Sequence, residues 1–507
     1  MGRTDPFWGY SLLLRTLVFV VVPAFAVHQA VRLRRALHVF QLEGYKRHRL
    51  RAWLAAGPSR RLFLRPVGAK KPLVMTGRAW RLLLVSLAIT VLGILGASGL
   101  VHINLGFPAD VATFAAVTIL AFVFMPEILL AADIALVPVQ GAINAHYRRA
   151  ARRKLTRLAP LVIGVTGSYG KTSTKFAIAA LVAPDGQALA TPGSYNTPLG
   201  VCRTINELLE PRHRAFVVEM GAYGVGEIAE LSRFVRHRIG VLTAIGPVHL
   251  ERFGSMEAIR RGKYEIVTEL PPDGVAVMNS DDEEVRALAD STVGVRVVRY
   301  GIDPAGRPDV TARDLEVSAR GSSFTVVAPG HEPLRVTTRL LGRHAIGHVL
   351  AGVAVALEAG RDLIELGAPI AALAPVEHRL QLIEGAGGVT VIDDAFNSNP
   401  AGAAAALEVL AQMPARRRVV VTPGIIELGP LAEEENRRFG RSAAEVADVV
   451  IFVAALNRAA LVAGAEGGRA EVITVDSLAQ ATEVLKRIVG PGDVVLFEND
   501  LPDQLEG

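Results

Sequence analysis

Two α/β domains, preceded by transmembrane helices, are what this sequence predicts. Three observations carry that prediction. A short apolar run, Leu161 to Ile163, leads into the glycine-rich segment Gly164-Val165-Thr166-Gly167-Ser168-Tyr169-Gly170-Lys171-Thr172-Ser173-Thr174. Apolar β-type runs then alternate with helical stretches to the C-terminus, as in parallel sheets covered by helices. Before residue 150, uncharged segments flank a strongly basic one.

The chain has 507 residues, half of them hydrophobic, and a formal charge of +6. That length suggests about three domains. Ser11 to Val27 is a weak candidate span, with Arg15 near one end and Pro23 inside. No small-residue cleavage site follows it, so it does not read as a signal peptide. Leu82 to Val101 is twenty residues without a charge, enough to cross a bilayer core as a helix. Val111 to Val137 is a second candidate, interrupted by Pro126, Glu127 and Asp133, whose acids are expected at an interface. Between Val31 and Trp80 stand thirteen Lys or Arg and one acid, Glu43, and His146 to Arg157 is basic again. Beside apolar segments such runs read as inside loops rather than a nucleic-acid surface. The expected placement is therefore a multi-pass protein of the cell membrane with cytoplasmic catalytic domains. Cys202 is the only cysteine, which excludes an intramolecular disulfide and a cysteine-rich metal site. The expected organisation is a membrane region over 1–145, a nucleotide-binding domain over 150–370 and a Rossmann-like domain over 371–507.

The strand, glycine turn and helix at Leu161 to about Val182 direct backbone N–H groups at a phosphate, and Lys171 adds a charge. Gly167, Ser168, Gly170, Lys171, Thr172 and Ser173 are the expected phosphate-binding residues of a nucleoside triphosphate site. Ala215–Val218, Ile239–Thr243 and Val275–Met278 read as further buried strands, with Glu219, the 244–249 segment and Asn279 at their carboxyl ends. Ligand residues belong at such ends in a doubly wound sheet. Ser322–Ala328 and Leu334–Thr338 suggest an antiparallel excursion. Val349–Leu357 reads as a helix stopped near Gly360. Gly388–Ile392, Arg418–Thr422, Val449–Val453, Glu471–Thr474 and Asp493–Phe497 read as the strands of the last domain.

Several separated motifs resemble the Mur ligases, ATP-dependent amide ligases, over about Pro160 to Phe497. They are the 166–174 loop, Thr191-Pro192-Gly193-Ser194-Tyr195-Asn196, Glu219-Met220-Gly221-Ala222 and His249-Leu250-Glu251-Arg252-Phe253-Gly254-Ser255. Gly262-Lys263-Tyr264-Glu265-Ile266, the run from Asp393 to Pro400, and Glu427-Leu428-Gly429 complete the set. The resemblance is greatest to the branch that adds D-alanyl-D-alanine to a muramoyl tripeptide. It implies ATP and Mg²⁺, with Thr172, Glu219 and His249 at the metal. It implies catalytic roles for Lys171, His249, Lys263 and Arg379, with Lys263 as a carbamylated lysine. It places His344 and Asp394 at the nucleotide and Asn196, Asn397, Asn399 and Glu498 at the substrate. Ala345 and His348 stand where the family has asparagines, Phe396 where it has tyrosine, and Asn436 where it has histidine. Glu498-Asn499-Asp500 stands where it has Lys-Gly-Ser, which suggests an acidic pocket favouring an amine.

The implied activity is amide-bond ligation through an acyl phosphate, in cell-wall peptide synthesis, between a carboxylate donor and an amino-acid or peptide acceptor. The donor is expected to be nucleotide-linked or lipid-linked at a membrane. Rival readings are a poly-γ-glutamate synthase-like ligase, a non-catalytic scaffold of wall synthesis and a nucleotide-driven transport component. The motifs beyond the glycine turn speak against the last.

Overall fold

A computed structural model describes residues 27–55 and 72–499, except 106, 184, 194, 249, 319–320, 397 and 427. The chain divides into two compact units between Ala145 and His146.

The first unit is helical. Residues 27–42, Arg47–Ala55, Gly77–Leu105 and Met125–Ala135 contribute to one apolar core that includes Leu37, Phe40, Leu50, Leu82 and Leu129. The described part of the basic stretch is therefore largely helical, and some of it is internal. Arg32 is fully buried, donates to the Phe122 carbonyl at 2.7 Å and lies 3.6 Å from the Phe122 ring centroid. Asp133, expected at an interface, is buried between Arg47 at 2.8 Å and Arg78 at 3.0 Å.

The expected multi-pass membrane placement is overturned. Among the described residues one helical stretch, Gly77–Ala97, is long and apolar enough to cross a membrane. The segment read as a second span is broken, because Ala116–Val123 and Met125–Ala135 meet at 75°. Pro126, in the first turn of the second piece, has no N–H to continue the helix before it. Most of the candidate span Ser11 to Val27 lies outside the described residues.

The second unit is α/β and holds two sheets. The strands of the first are β1 Leu161–Thr166, β2 Ala188–Ala190, β3 Ala215–Glu219, β4 Ile239–Leu242, β5 Val275–Asn279, β6 Arg296–Gly301, β7 Val310–Ser318, β8 Gly321–Val327 and β9 Leu334–Thr338. Their order is β2-β3-β1-β4-β5-β6-β7-β8-β9. Pairing is parallel as far as β7 and antiparallel through β8 and β9. Apolar side chains cover both faces, so β1, β3 and β4 read as continuous apolar runs rather than alternating ones. On one face Ile163 and Val217 pack with Ile178 of the helix Lys171–Val182 and with Val349 and Val353 of the helix Arg343–Glu358. On the other, Val162, Phe216 and Val218 pack with Ile205, Ile228 and Ile266.

The second sheet contains β10 Gln381–Glu384, β11 Thr390–Asp394, β12 Arg418–Thr422, β13 Val449–Val453, β14 Glu471–Val475 and β15 Val494–Glu498, in the order β10-β11-β15-β12-β13-β14. Only β10 pairs antiparallel. The chain order reverses around β15, which places Asp394 and Glu498 side by side at the carboxyl ends of β11 and β15. That is where a doubly wound sheet opens a crevice.

Candidate active site

β1 leads through residues 167–170 into the helix Lys171–Val182. Gly170 has φ 73°, and a Cβ there would come within 2.7 Å of the His348 ring, so both backbone and space require glycine. The loop is tied to the end of β4. The Ser168 N–H donates to the Ala244 carbonyl at 2.7 Å, and the Ser168 hydroxyl donates to the Gly246 carbonyl at 3.0 Å. The Lys171 ammonium folds over the turn, donating to the carbonyls of Gly167 at 2.8 Å and Ser168 at 3.1 Å. Burial lowers its pKa to about 8, against the pull of Glu219 and with the push of Arg379.

Glu219, 2% exposed, is the hub of the site. Its carboxylate accepts from the Thr172 hydroxyl at 3.0 Å, the Lys175 ammonium at 3.1 Å and the Asn196 amide at 3.4 Å. Lys175 is absent from the sequence-derived set, yet it is fully buried and also donates to the Gly193 carbonyl at 2.7 Å. One ammonium therefore joins the phosphate-loop helix, the end of β3 and the 191–196 loop. Its spacing of four from Lys171 puts it one helical turn further on, the one signal the sequence held for it.

Lys263 lies on the helix Met256–Thr268, 3% exposed, with its Nζ 3.5 Å from the Ala222 carbonyl and 5.5 Å from the Phe253 ring centroid. Burial, reinforced by the charge of Lys171, brings its pKa down to about 7. His249 lies outside the described residues, as does Asn397.

The rest of the site comes from the second sheet and the helix that precedes it. A cleft of about 1080 Å³ is lined by Thr172, Ser173, Asn279, His344, His348, Arg379, Asp394 and Phe396, among others. His348 Nδ1 is 2.9 Å from the Thr174 hydroxyl, and the rings of His344 and His348 are 6.0 Å apart. Both open onto the cleft but are surrounded by protein, and burial lowers their pKa to about 4 and about 3, so both are neutral near pH 7.

Arg379 stacks over Phe396 at 4.6 Å, and burial lowers its pKa. Its neighbours His378 and Leu380 have φ of 59° and 45°. Two adjacent carboxylates hold this unusual backbone. Asp393 pairs with His378 at 2.7 Å, and Asp394 accepts the Leu380 N–H at 3.1 Å. Burial raises the Asp394 pKa to about 6.

Two expected substrate residues are engaged elsewhere. Asn399 caps the helix Pro400–Gln412, accepting from the Gly402 N–H at 2.8 Å. Glu498 is fully buried, accepts from the hydroxyls of Ser398 and Thr422, and has its pKa pushed by burial up to about 8. A protonated, hydrogen-bonded carboxyl does not make the acidic pocket that the sequence suggested. Asn436 likewise serves the fold, bonding both backbone groups of Ile425.

Residues 165–356 match the Mur ligase middle domain and residues 378–498 the Mur ligase glutamate ligase domain. The UDP-N-acetylmuramoyl-tripeptide–D-alanyl-D-alanine ligase of Mycobacterium tuberculosis is 36% identical over 360 residues, covering 66% of this chain and 70% of that protein. The chain belongs to the Mur ligase family. The ligase of the same description from Escherichia coli is 35% identical over 282 residues, covering 56% of this chain and 62% of that protein. Among solved structures, MurF from Acinetobacter baumannii superposes with a TM-score of 0.64 at 26% identity, covering 72% of this chain and 78% of that one. MurF from Thermotoga maritima, solved in complex with ADP, gives 0.62 at 25% identity, covering 71% and 80%.

This Mur ligase is an ATP-dependent acid–amino-acid ligase that forms amide bonds in peptidoglycan precursor synthesis. ATP and Mg²⁺ are the family's reactants. The donor set suits Mg²⁺: a carboxylate and a hydroxyl meet at Glu219 and Thr172, with the amide nitrogen of Asn196 turned to the carboxylate. Mg²⁺ takes few protein ligands and completes its shell with water and phosphate oxygens.

Proposed function

We propose that this Mur ligase joins D-alanyl-D-alanine to the free carboxylate of a UDP-linked muramoyl tripeptide by way of an acyl phosphate. The observation that carries the chemistry is an excess of cations. Lys171, Lys175 and Arg379 converge on a site whose central anion is Glu219, and burial, with a smaller push from Arg379, depresses the pKa values of Lys171 and Lys175. Unbalanced cations lining the cleft stabilise an incoming triphosphate and its developing charge. The relatives' names support the choice of substrates.

A donor carboxylate oxygen attacks the γ-phosphorus, the bond to the β-phosphate oxygen breaks and ADP leaves. Lys171 and Arg379 offset the charge on the transferring group. The acceptor amine then attacks the acyl carbon, loses a proton and expels inorganic phosphate. Mg²⁺, when bound, neutralises phosphate oxygens, with Thr172, Glu219 and His249 as its protein contacts. Asp394 faces the ribose and His344 the base. Asn196, Asn397 and Asn399 border the donor, the last through the helix end that it caps. Glu498 acts through Ser398, which lines the cleft. Lys263 carries a carbamate in the working enzyme. A pKa near 7 supports this reading, because the neutral amine adds CO₂ and releases a proton.

The test supplies the protein with ATP, Mg²⁺, UDP-N-acetylmuramoyl-tripeptide and D-alanyl-D-alanine, and follows phosphate release and product mass. A product of the summed mass less water is expected, lost on Lys171→Ala. A product formed only with oligo-γ-glutamate would favour the polymer ligase, and no ADP with any acceptor would favour the scaffold.

A further inference from the structure

Arg148, Arg149 and Arg152 stand on the helix Val137–Leu158, ahead of the segment that the family description matches, and the reaction above uses none of them. With Glu230, Arg233 and Phe234 of the helix Glu227–Val235 they line a second cleft of about 310 Å³. Arg148 pairs with Glu230 at 2.8 Å and lies 5.6 Å from the Phe234 ring centroid. Arg233 pairs with Glu269 at 2.5 Å. Arg149 and Arg152, both exposed, have no ion pair among the described residues. Four arginines thus meet two acids, leaving two uncompensated charges. Like charges three residues apart on one helix repel, so the arrangement favours an anion that bridges them. Planar guanidinium forks match phosphate oxygens in pairs. The volume admits a diphosphate with part of its substituent and is too small for a nucleic-acid duplex.

The cleft is linked to the active site. Glu265, two residues from Lys263, accepts the N–H groups of Gly226 at 2.5 Å and Ala229 at 2.9 Å. This pins the start of the helix Glu227–Val235 beside Lys263, while Arg233 and Phe234 lie near the helix's other end. Nine helical residues span about 13 Å. Three extended peptide residues reach about 10 Å, and an intervening sugar supplies the remainder. A donor with a diphosphate at one end and a tripeptide carboxylate at the other has the length to occupy both places.

We propose that the cleft of Arg148, Arg149, Arg152 and Arg233 binds the diphosphate end of the carboxylate donor. The proposal rests on the substrate reading given above. Nucleotide-linked and polyprenyl-linked donors share that diphosphate chemistry.

Calorimetry on the full chain, saturated with ADP and Mg²⁺ so that the phosphate loop is filled, would use UDP-N-acetylmuramic acid as one probe and its polyprenyl-diphosphate analogue in detergent as the other. Arg149→Ala/Arg152→Ala should weaken binding of the preferred probe at least tenfold, as expected for lost charge-assisted hydrogen bonds, and leave the ADP affinity unchanged. Arg149→Lys/Arg152→Lys should recover part of the loss. The probe bound more tightly names the carrier. Unchanged affinity in the alanine variant, or no binding of either probe by the natural chain, overturns the proposal. Arginine-dependent binding without any amide product would instead overturn the substrate reading and leave the cleft standing.

Discussion

Glu219 and Glu498 occupy equivalent places in the two sheets. Each ends a parallel strand, each is buried, and each accepts from a threonine hydroxyl. They differ in their neighbours. Glu219 meets an ammonium and lies near Lys171 and Arg379. Glu498 meets two hydroxyls and has Asp394 beside it, which adds to the effect of burial on its pKa. Burial makes the charged form expensive in both places, and only Glu219 has a cation to offset that cost. A strand-end carboxylate thus pairs with a cation in one domain, while in the other burial favours its protonated, hydrogen-bonding form.

The largest break in this contrast should come from Glu219→Gln. Lys175 would be left buried without its anion, a change that costs about 3–5 kcal/mol, and ADP formation should fall by about a hundredfold or more with the loss of the metal-side carboxylate. Denaturant melts and phosphate release would measure the two effects separately. Lys263 comes next. Turnover in CO₂-depleted buffer should be about tenfold below that with bicarbonate. The stimulation should grow as pH rises through about 7, where the Lys263 amine becomes neutral. A response to bicarbonate that is flat between pH 6 and 8 would oppose the carbamate.

Glu498 should show its difference in the pH dependence of stability. Its folded pKa is about 8 against an ordinary 4.5, so the folded chain holds a proton that the unfolded chain releases. The stability tied to that proton is complete below about pH 4.5 and is lost as pH rises towards 8. Glu498→Gln imitates the protonated form and should flatten the curve, at a cost under about 1 kcal/mol at acidic pH. Thermal melts at pH 5 and pH 8 would read it. The smallest effect belongs to Asn399→Ala, which removes a helix cap worth about 1 kcal/mol. A change in the donor KM larger than the change in stability would show that Asn399 also touches substrate.

Strands buried on both faces are the legible part of the sequence, because continuous apolar runs announce them. Arg418–Thr422 and Val449–Val453 are read to the residue, and the starts of Ala215–Glu219 and Val275–Asn279 agree. Strands without such runs are missed. β2 is only three residues long, β6 carries arginines at Arg296 and Arg299, and β10 is an edge strand half open to solvent. In the site, the glycine turn is legible because its geometry needs particular residues at fixed spacing. The Lys175–Glu219 pair and the His348–Thr174 contact are not, since they join positions 44 and 174 residues apart and depend on how helices pack on the sheet. The acidic reading of Glu498 fails for a related reason: composition shows a carboxyl group but not the absence of water around it.

The backbone around Arg379 has a further consequence. Left-handed conformations at His378 and Leu380 cost about 1 kcal/mol or more apiece and would be sampled rarely in a free loop. Asp393 and Asp394 hold them in place before any nucleotide arrives. The arginine is thereby aimed when the protein folds, and the entropy of aiming it is spent once per molecule rather than once per turnover.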